Sequence, residues 1–412
     1  MALWLLVITV WGIYPGRDGC ANVWPNHFDA AFSGFLESRH SIQVQRPNDT
    51  LASETSARLE LTAYAESATL FASVNLAENH LLGEESGITL HEGYMDLVFE
   101  RFSMRTGRQI IIWGQADGLR ITDNISPLDY SEYITRDFDE IRLGVDAVNM
   151  KYEAEAGTFQ LIWIPFYRDG VQPARHSPWY IDTGSDRTVL WAEEPDERLE
   201  NGEIAAKYAL YLPGGDLALS YFYTWGDYPA YQPVADGSGG WEYQPEYYRQ
   251  HIFGADFSRP FGDFVFRSEA AWFHGDLISS ATQGTSPAKK DRLKWLAGLD
   301  WYPGSHWTLS AQYARSRILN PDTPGGLGER ARQDTATLSV SKNLFREKLT
   351  LTALIYWDPD VGDSLTRLSS EYQIMDDLSI FLGSDIFQGD RDGSFGRYKD
   401  NTQVWTKIKY HF

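Results

Sequence analysis

The chain has 412 residues, 43% of them apolar, and a formal net charge of −21 at pH 7. That length and apolar content support a large core and exclude extended disorder. The excess of acid excludes nucleic acid and anionic surfaces as general partners, because both are repelled at long range. Past the first residues no apolar run reaches the length of a membrane-spanning helix, so a helical membrane protein is excluded as well. A membrane barrel is not. Mean hydropathy is negative, but barrel strands alternate lipid-facing with water-facing side chains, and their average resembles that of a soluble protein.

At the N-terminus, Ala2 to Gly16 form a short apolar stretch followed by Gly19-Cys20-Ala21, which offers small residues at both positions that cleavage requires. We read 1–21 as a signal peptide, with the mature chain starting at Asn22. A lipoprotein site at Cys20 is disfavoured by Arg17 and Asp18. Cys20 is the only cysteine, so the mature chain carries no disulfide, no cysteine zinc site and no thiol nucleophile. The 15 Trp, 23 Tyr and 21 Phe suit aromatic girdles at two membrane interfaces.

From about Phe28 onward, segments of roughly nine to twelve residues alternate apolar with polar. Leu59, Leu61, Ala63 and Ala65 oppose Arg58, Glu60 and Thr62. Ile204, Ala206, Tyr208, Leu210 and Leu212 oppose Glu203 and Lys207. Phe264, Phe266, Ala270 and Trp272 oppose Arg267 and Glu269, and Leu293, Trp295, Ala297, Leu299 and Trp301 oppose Lys294 and Asp300. In the last segment Val404, Thr406, Ile408, Tyr410 and Phe412 share one face, and Gln403, Lys407, Lys409 and His411 the other. A Lys or Arg facing the bilayer centre costs roughly 2–4 kcal/mol, and this split avoids that cost.

Tight-turn sequences stand at Pro213 to Asp216, Arg259 to Asp263, Pro303 to Ser305, Asn343 to Glu347 and Met375 to Asp377. Between them, longer connections are expected near 41–54, 78–87, 114–144, 167–200, 226–248, 275–290, 317–332, 357–363 and 388–401. Residues 22–412 therefore predict an all-β fold: a transmembrane antiparallel β-barrel of about 18 strands (16–18), with short periplasmic turns and long extracellular loops. The faces of 88–113 and 363–388 stay unassigned. Tyr410 and the terminal Phe412 resemble the sorting signal read by the machinery that inserts outer-membrane barrels.

The segment 114–144 is the most informative connection. Ser126-Pro127-Leu128-Asp129 predicts a helix start, with Ser126 as N-cap, Pro127 at the first helical position and a short helix running to about Asp137. Asp117, Asp123, Asp129, Glu132, Asp137, Asp139 and Glu140 stand against Arg120, Arg136 and Arg142. The expectation is a constriction whose carboxylates face basic residues across a narrowed lumen and sieve solutes by charge and size; the alternative is a solvated extracellular loop. Candidate lumen-wall charges are Arg58, Lys151, Lys207, Arg267, Lys294, Lys407 and Lys409, with Glu60, Asp96, Glu203, Asp256, Glu269, Asp300 and Glu371. They are expected to be largely a salt-bridge scaffold.

Trp179, Tyr180, Trp191, Tyr228, Tyr231, Trp241, Tyr243, Tyr247 and Tyr248 read as loop-packing or lipopolysaccharide-contacting residues rather than a sugar platform. Asp390 to Ser394 is not read as a calcium loop, because its glycine comes too early and no acid closes it. No metal or cofactor is expected. The nine histidines form no catalytic motif, so no enzyme is expected; the best fragment is His91 or His274 with a nearby Ser and Asp.

Gly107-Arg108-Gln109, running to Trp113-Gly114 and followed by Thr122-Asp123-Asn124-Ile125-Ser126-Pro127-Leu128-Asp129, resembles a proteobacterial family of porin-like outer-membrane proteins of poorly defined function. Members carry a Gly-Arg-Gln strand ending in Trp-Gly and then Asn-Pro-x-Asp; here Ser126 replaces that Asn. The resemblance implies a location in the outer membrane of a Gram-negative bacterium. The segment 114–144 also looks like the loop after the fifth strand of trimeric porins, which folds inward and sets the pore radius. The expected function is diffusion of small solutes, and acidic residues of 114–144 lying along the pore set a preference for cations or neutral molecules. Its alternatives are an accessory barrel of an export, lipid-transport or electron-transfer complex, and a soluble all-β carbohydrate-active protein. Outer-membrane lipid and lipopolysaccharide are the expected surroundings, no nucleic acid is expected, and a homotrimer or a periplasmic export partner is left open.

Overall fold

Period-two alternation becomes strand over more than half of the described residues, because successive side chains of an extended backbone point to opposite faces. The computed structural model describes residues 29–181, 195–237 and 239–412. The expected signal peptide and Trp191 lie outside them. The strands in chain order are β1 Asp29–Gln43, β2 Thr50–Ala65, β3 Ala68–Asn79, β4 Gly87–Val98, β5 Phe102–Gln109, β6 Val145–Ala154, β7 Gly157–Ile164, β8 Glu203–Leu212, β9 Gly215–Trp225 and β10 Ala230–Ala235. They continue with β11 Trp241–Glu246, β12 Arg249–Phe261, β13 Phe264–Ile278, β14 Ala288–Trp301, β15 Trp307–Leu319, β16 Arg332–Leu344, β17 Leu349–Asp358, β18 Asp363–Met375, β19 Leu378–Gln388 and β20 Gln403–His411.

Eighteen of these strands form one antiparallel sheet, and β10 with β11 makes a separate hairpin between β9 and β12. The sheet closes because β1 pairs with β2 on one side and with β20 on the other. Closure gives every strand of this sheet two neighbours, which is the condition for a sheet to stand in hydrocarbon. Phe412 completes the seam: its N–H donates to the Gly34 carbonyl at 3.1 Å and its carbonyl accepts from the Gly34 N–H at 3.0 Å.

The rim at which β1 begins and β20 ends has connections of two to five residues, from 66–67 to 302–306. The opposite rim carries the longer ones, including 110–144, 165–202, 226–248 and 389–402. Two connections expected to be long are short, spanning only 44–49 and 359–362, since β1, β2, β17 and β18 extend further than their apolar residues indicated. For 88–113 the unassigned face has a physical cause: register slips between Ser73 and Val74 against β4, and such a bulge inverts the alternation on either side of it. The slip between Gln373 and Met375 touches only the end of β18, and 364–373 keep one continuous register against β19.

Outward positions are apolar and exposed, as at Phe159, Leu161 and Trp163 on β7 or Val404, Ile408 and Tyr410 on β20. Inward positions form two clusters. The larger takes Val145, Ile162, Ala205, Phe222, Ile252, Ala271, Leu296 and Ala314 from β6–β9 and β12–β15, and packs them on Ile111, Trp113, Ile121 and Ile125. The smaller joins Tyr356, Leu365 and Phe387 of β17–β19 to Trp179, Phe395 and Tyr398.

Candidate functional site

The site is built on residues 110–144. On leaving β5, the chain carries apolar side chains at Ile111, Trp113, Ile121 and Ile125, all at 4% exposure, and burying them requires the inner wall rather than water. Polar bonds then fix the path. Glu269 of β13 accepts from the Ala116 N–H at 2.7 Å, the Thr122 N–H at 3.1 Å and the Thr122 hydroxyl at 2.7 Å, and also from the Gln115 N–H. Gln312 of β15 accepts from the Asp117 N–H at 3.1 Å and donates to its carbonyl at 3.1 Å. Further along, Glu132 meets Arg39 of β1, and Arg367 of β18 donates to the Thr135 and Arg136 carbonyls at 2.7 and 3.2 Å. One segment bonded to the inner faces of β1, β13, β15 and β18 must cross the inside of the closed sheet.

The expected helix does not form: residues 121–140 are turns, bends and irregular backbone. Tertiary bonds take the groups a helix would have used. The Ser126 hydroxyl accepts from the Ile111 N–H at 2.9 Å, Leu128 bridges Arg142, and Asp129 bridges Val171.

The segment's charges are drawn into ion pairs, some within the segment and others with basic residues of the wall. Asp123 pairs with Arg142 at 3.0 Å and accepts the Trp113 N–H at 2.9 Å; Arg142 also holds Asp139. Arg120 reaches Asp227 at 3.0 Å, and Arg136 bridges Glu132 at 2.9 Å and Glu54 at 2.8 Å. Glu140 lies 3.6 Å from Lys407 and 4.0 Å from Lys409, and Asp137 lies 3.7 Å from Arg367 and 3.9 Å from Lys407. Asp129 accepts the Ser131 N–H at 2.9 Å.

Burial raises the pKa of Glu132, but the guanidiniums of Arg39 and Arg136 outweigh it and hold the carboxyl at about 2. Glu140 is also held below its ordinary value: burial opposes the shift, and Lys407 and Lys409 drive it. A carboxyl depressed in the folded state stabilises fully above its ordinary pKa of about 4.3 and loses that contribution as pH falls through the folded value. Protection of 118–140 from proteolysis should therefore hold from about pH 7 to 5 and fall only below about pH 4. Loss of protection already between those upper values would contradict these anchors.

On the wall, Lys207 pairs with Asp256 at 3.1 Å, Arg267 with Asp300 at 2.7 Å and with Asp117 at 2.5 Å, and Asp96 with Arg105 at 2.7 Å. Glu203 accepts from the Thr224 hydroxyl and, at 3.2 Å, from the Trp225 N–H. Arg58 donates to Asn75 at 2.7 Å, Ser73 to Glu60 at 3.5 Å, and Lys294 lies over the Phe273 ring at 4.5 Å. Glu371, on the inward face of β18, is directly opposite Phe381. Lys409 lies over Phe35 at 3.9 Å, while Lys151 stays exposed. Of the catalytic fragments, His274 faces outward and meets Asp291 at 2.9 Å, and His91 lines a cavity beside Arg58 and Arg168.

Among the described residues, cavities open on two sides of the segment. One of about 550 Å³ lies against β20 and β1–β4, lined by Phe35, Arg39, Arg58, Asn75, His91 and Lys409 together with Arg136, Glu140 and Arg168. The other, about 300 Å³, lies against β4–β7, lined by Asp96, Arg105, Asn149, Lys151 and Gln160 under Ile110 to Ile112. Between them stand Glu92, which accepts the Ile110 N–H at 2.8 Å, and Tyr94, whose ring lies 3.8 Å from the Arg105 guanidinium. The sequence reading missed Arg39, Glu54, Gln312 and Arg367. It also missed the inward turn of 165–181 and 389–402, where Trp179, Phe387 and Tyr398 pack together. Arg39 shares the inward phase of β1 with Glu37, and that parity was the available signal.

The family model described as "Protein of unknown function (DUF1302)" matches residues 82–412. No curated protein matches the chain. Among solved structures, the chain is similar to Acinetobacter baumannii OccAB2, with TM-score 0.57, 9% identity and coverage of 93% of this chain and 98% of that one. It is likewise similar to Acinetobacter baumannii OccAB1, with TM-score 0.56, 9% identity and coverage of 93% and 96%. For Pseudomonas aeruginosa OpdL the values are 0.54, 12%, 93% and 99%. At these identities the likeness shows a porin-like barrel fold.

Proposed function

The chain belongs to the DUF1302 family, whose description names no activity, and from the geometry we propose a channel of the outer membrane that passes small polar solutes. The carrying observation is the uneven filling of the barrel. An apolar cluster occupies the half lined by β6–β9 and β12–β15, whereas cavities of about 550 and 300 Å³ follow the wall from β20 through β7. Solutes move along that wall, past Glu92, Tyr94 and Arg105, with residues 114–144 as the constriction. The longer connections face outward from the cell and the short turns face the periplasm. No catalytic group enters this reading.

Selectivity follows from charge. Seven carboxylates of 114–144 stand against three arginines, and this excess within the segment favours cations and neutral molecules. A reversal potential measured across a salt gradient with the refolded full chain is expected to report cation over anion permeability. Anion selectivity would remove this part of the reading. The filled half of the barrel favours one other reading, a closed accessory barrel that serves an export, lipid-transport or electron-transfer complex through its rims. Absence of conductance together with co-purification of a periplasmic protein would select it. A homotrimer is compatible with either.

A further inference from the structure

The outward wall is apolar almost everywhere, as lipid requires, but at the longer-connection ends of β15 and β16 it carries three arginines. Arg315, Arg317 and Arg332 lie on the outward face: their strand neighbours Ala314 and Ile318 are buried on the inner side, and the outward neighbours Leu338 and Trp357 are 46% and 47% exposed. Two carboxylates already serve two of them. Asp334, 2% exposed, accepts from Arg315 at 2.7 and 2.9 Å and from the Tyr313 hydroxyl at 2.7 Å, and Arg332 lies 3.3 Å from it and 2.5 Å from Asp360. Arg317 is exposed, has no carboxylate within 4 Å among the described residues, and stands directly opposite Arg332 across the strand pair.

Like charges directly opposite one another destabilise a strand pair. A free guanidinium facing lipid also gains nothing for the fold, although near the interface its cost falls to about 0–1 kcal/mol. An anion shared by the two side chains turns the repulsion into paired, charge-assisted hydrogen bonds, and the planar guanidinium matches phosphate oxygens two at a time. Beside the arginines the same face offers Leu293, opposite Arg317, with Trp295 beside Arg315 at 6.0 Å and Trp357 further along the wall, an apolar surface suited to acyl chains. The arrangement is local: the chain as a whole is strongly acidic, so general attraction to an anionic surface does not account for it.

We infer that Arg317 and Arg332, positioned by Asp334 and Asp360, bind a phosphate of a phosphorylated glycolipid in the outer leaflet, with its acyl chains lying on the adjacent apolar wall. The inference rests on the reading that the barrel spans the outer membrane with its longer connections outside.

The test is native mass spectrometry of the full chain in detergent after incubation with bisphosphorylated lipid A, with its dephosphorylated form, or with phosphatidylglycerol. Wild-type protein is expected to retain the bisphosphorylated lipid in preference to the other two. The double variant Arg317→Gln/Arg332→Gln is expected to retain roughly tenfold less, as loss of charge-assisted bonds to phosphate implies. Arg259→Gln, on the outward face at the opposite rim, is expected to retain as much as wild type. Heat-modifiable mobility on gels confirms that each variant has folded, and conductance of the same preparations separates failure of this site from failure of the channel reading. Equal retention by the double variant, equal retention of dephosphorylated lipid, or a change in oligomer mass without a change in bound lipid would overturn the site; the last would assign the patch to a second copy of the chain.

Discussion

Deleting residues 118–140, with a flexible linker of about eight residues joining the cut ends, raises single-channel conductance several-fold and weakens cation preference. The segment is bonded to the inner faces of β1, β13, β15 and β18, so its removal opens the half of the barrel that its apolar residues now fill. It also removes Asp123, Asp129, Glu132, Asp137, Asp139 and Glu140 against only Arg120 and Arg136, and leaves Arg39, Arg367, Lys407 and Lys409 facing the lumen with fewer acids. Both changes move selectivity toward anions. Unchanged conductance in a folded deletion variant would mean that this segment does not bound the route.

Glu269→Ala should be the most disruptive single substitution of the inner wall. The carboxylate is 2% exposed and accepts from three backbone N–H groups and one hydroxyl of the segment. Each buried donor left without a partner costs about 1–3 kcal/mol. These costs are not additive, and a local loss of roughly 3–5 kcal/mol is expected. Glu269→Gln keeps one acceptor oxygen and loses less. Hydrogen exchange at Gln115, Ala116 and Thr122 measures the release directly, and flickering of the open-channel current reports it functionally. If those amides stayed as protected in the alanine variant as in wild type, Glu269 would not anchor the segment.

The barrel was legible because its signal repeats. Every strand that follows strict alternation, such as Val404 to Phe412, restates which face meets lipid, and one irregular strand does not erase the pattern. Where a bulge inverted the phase within β4, the faces could not be assigned from sequence. The inner segment was legible as a special connection but not in conformation. Ser126-Pro127-Leu128-Asp129 is a local helix signal, and local preference yields when tertiary partners claim the same groups; here the Ile111 N–H takes the Ser126 hydroxyl. The pairing of charges was beyond reach for another reason. Arg39 and Glu132 are separated by 93 positions and Gln312 and Asp117 by 195, and nothing in the spacing along the chain encodes which inward residue of an eighteen-stranded wall a loop will meet.

Residues 118–140 thus divide the lumen unequally, and single-cysteine accessibility probes that division most directly, since the only native cysteine, Cys20, precedes the mature chain as we read it. Ala77 lines the larger cavity, whereas Ala271 is 1% exposed within the apolar cluster. In planar bilayers, a charged thiol reagent added on the longer-connection side should modify Ala77→Cys and reduce its current, and should leave Ala271→Cys unmodified. Block at Ala271→Cys with Ala77→Cys untouched would place the route through the opposite half of the barrel and contradict the account.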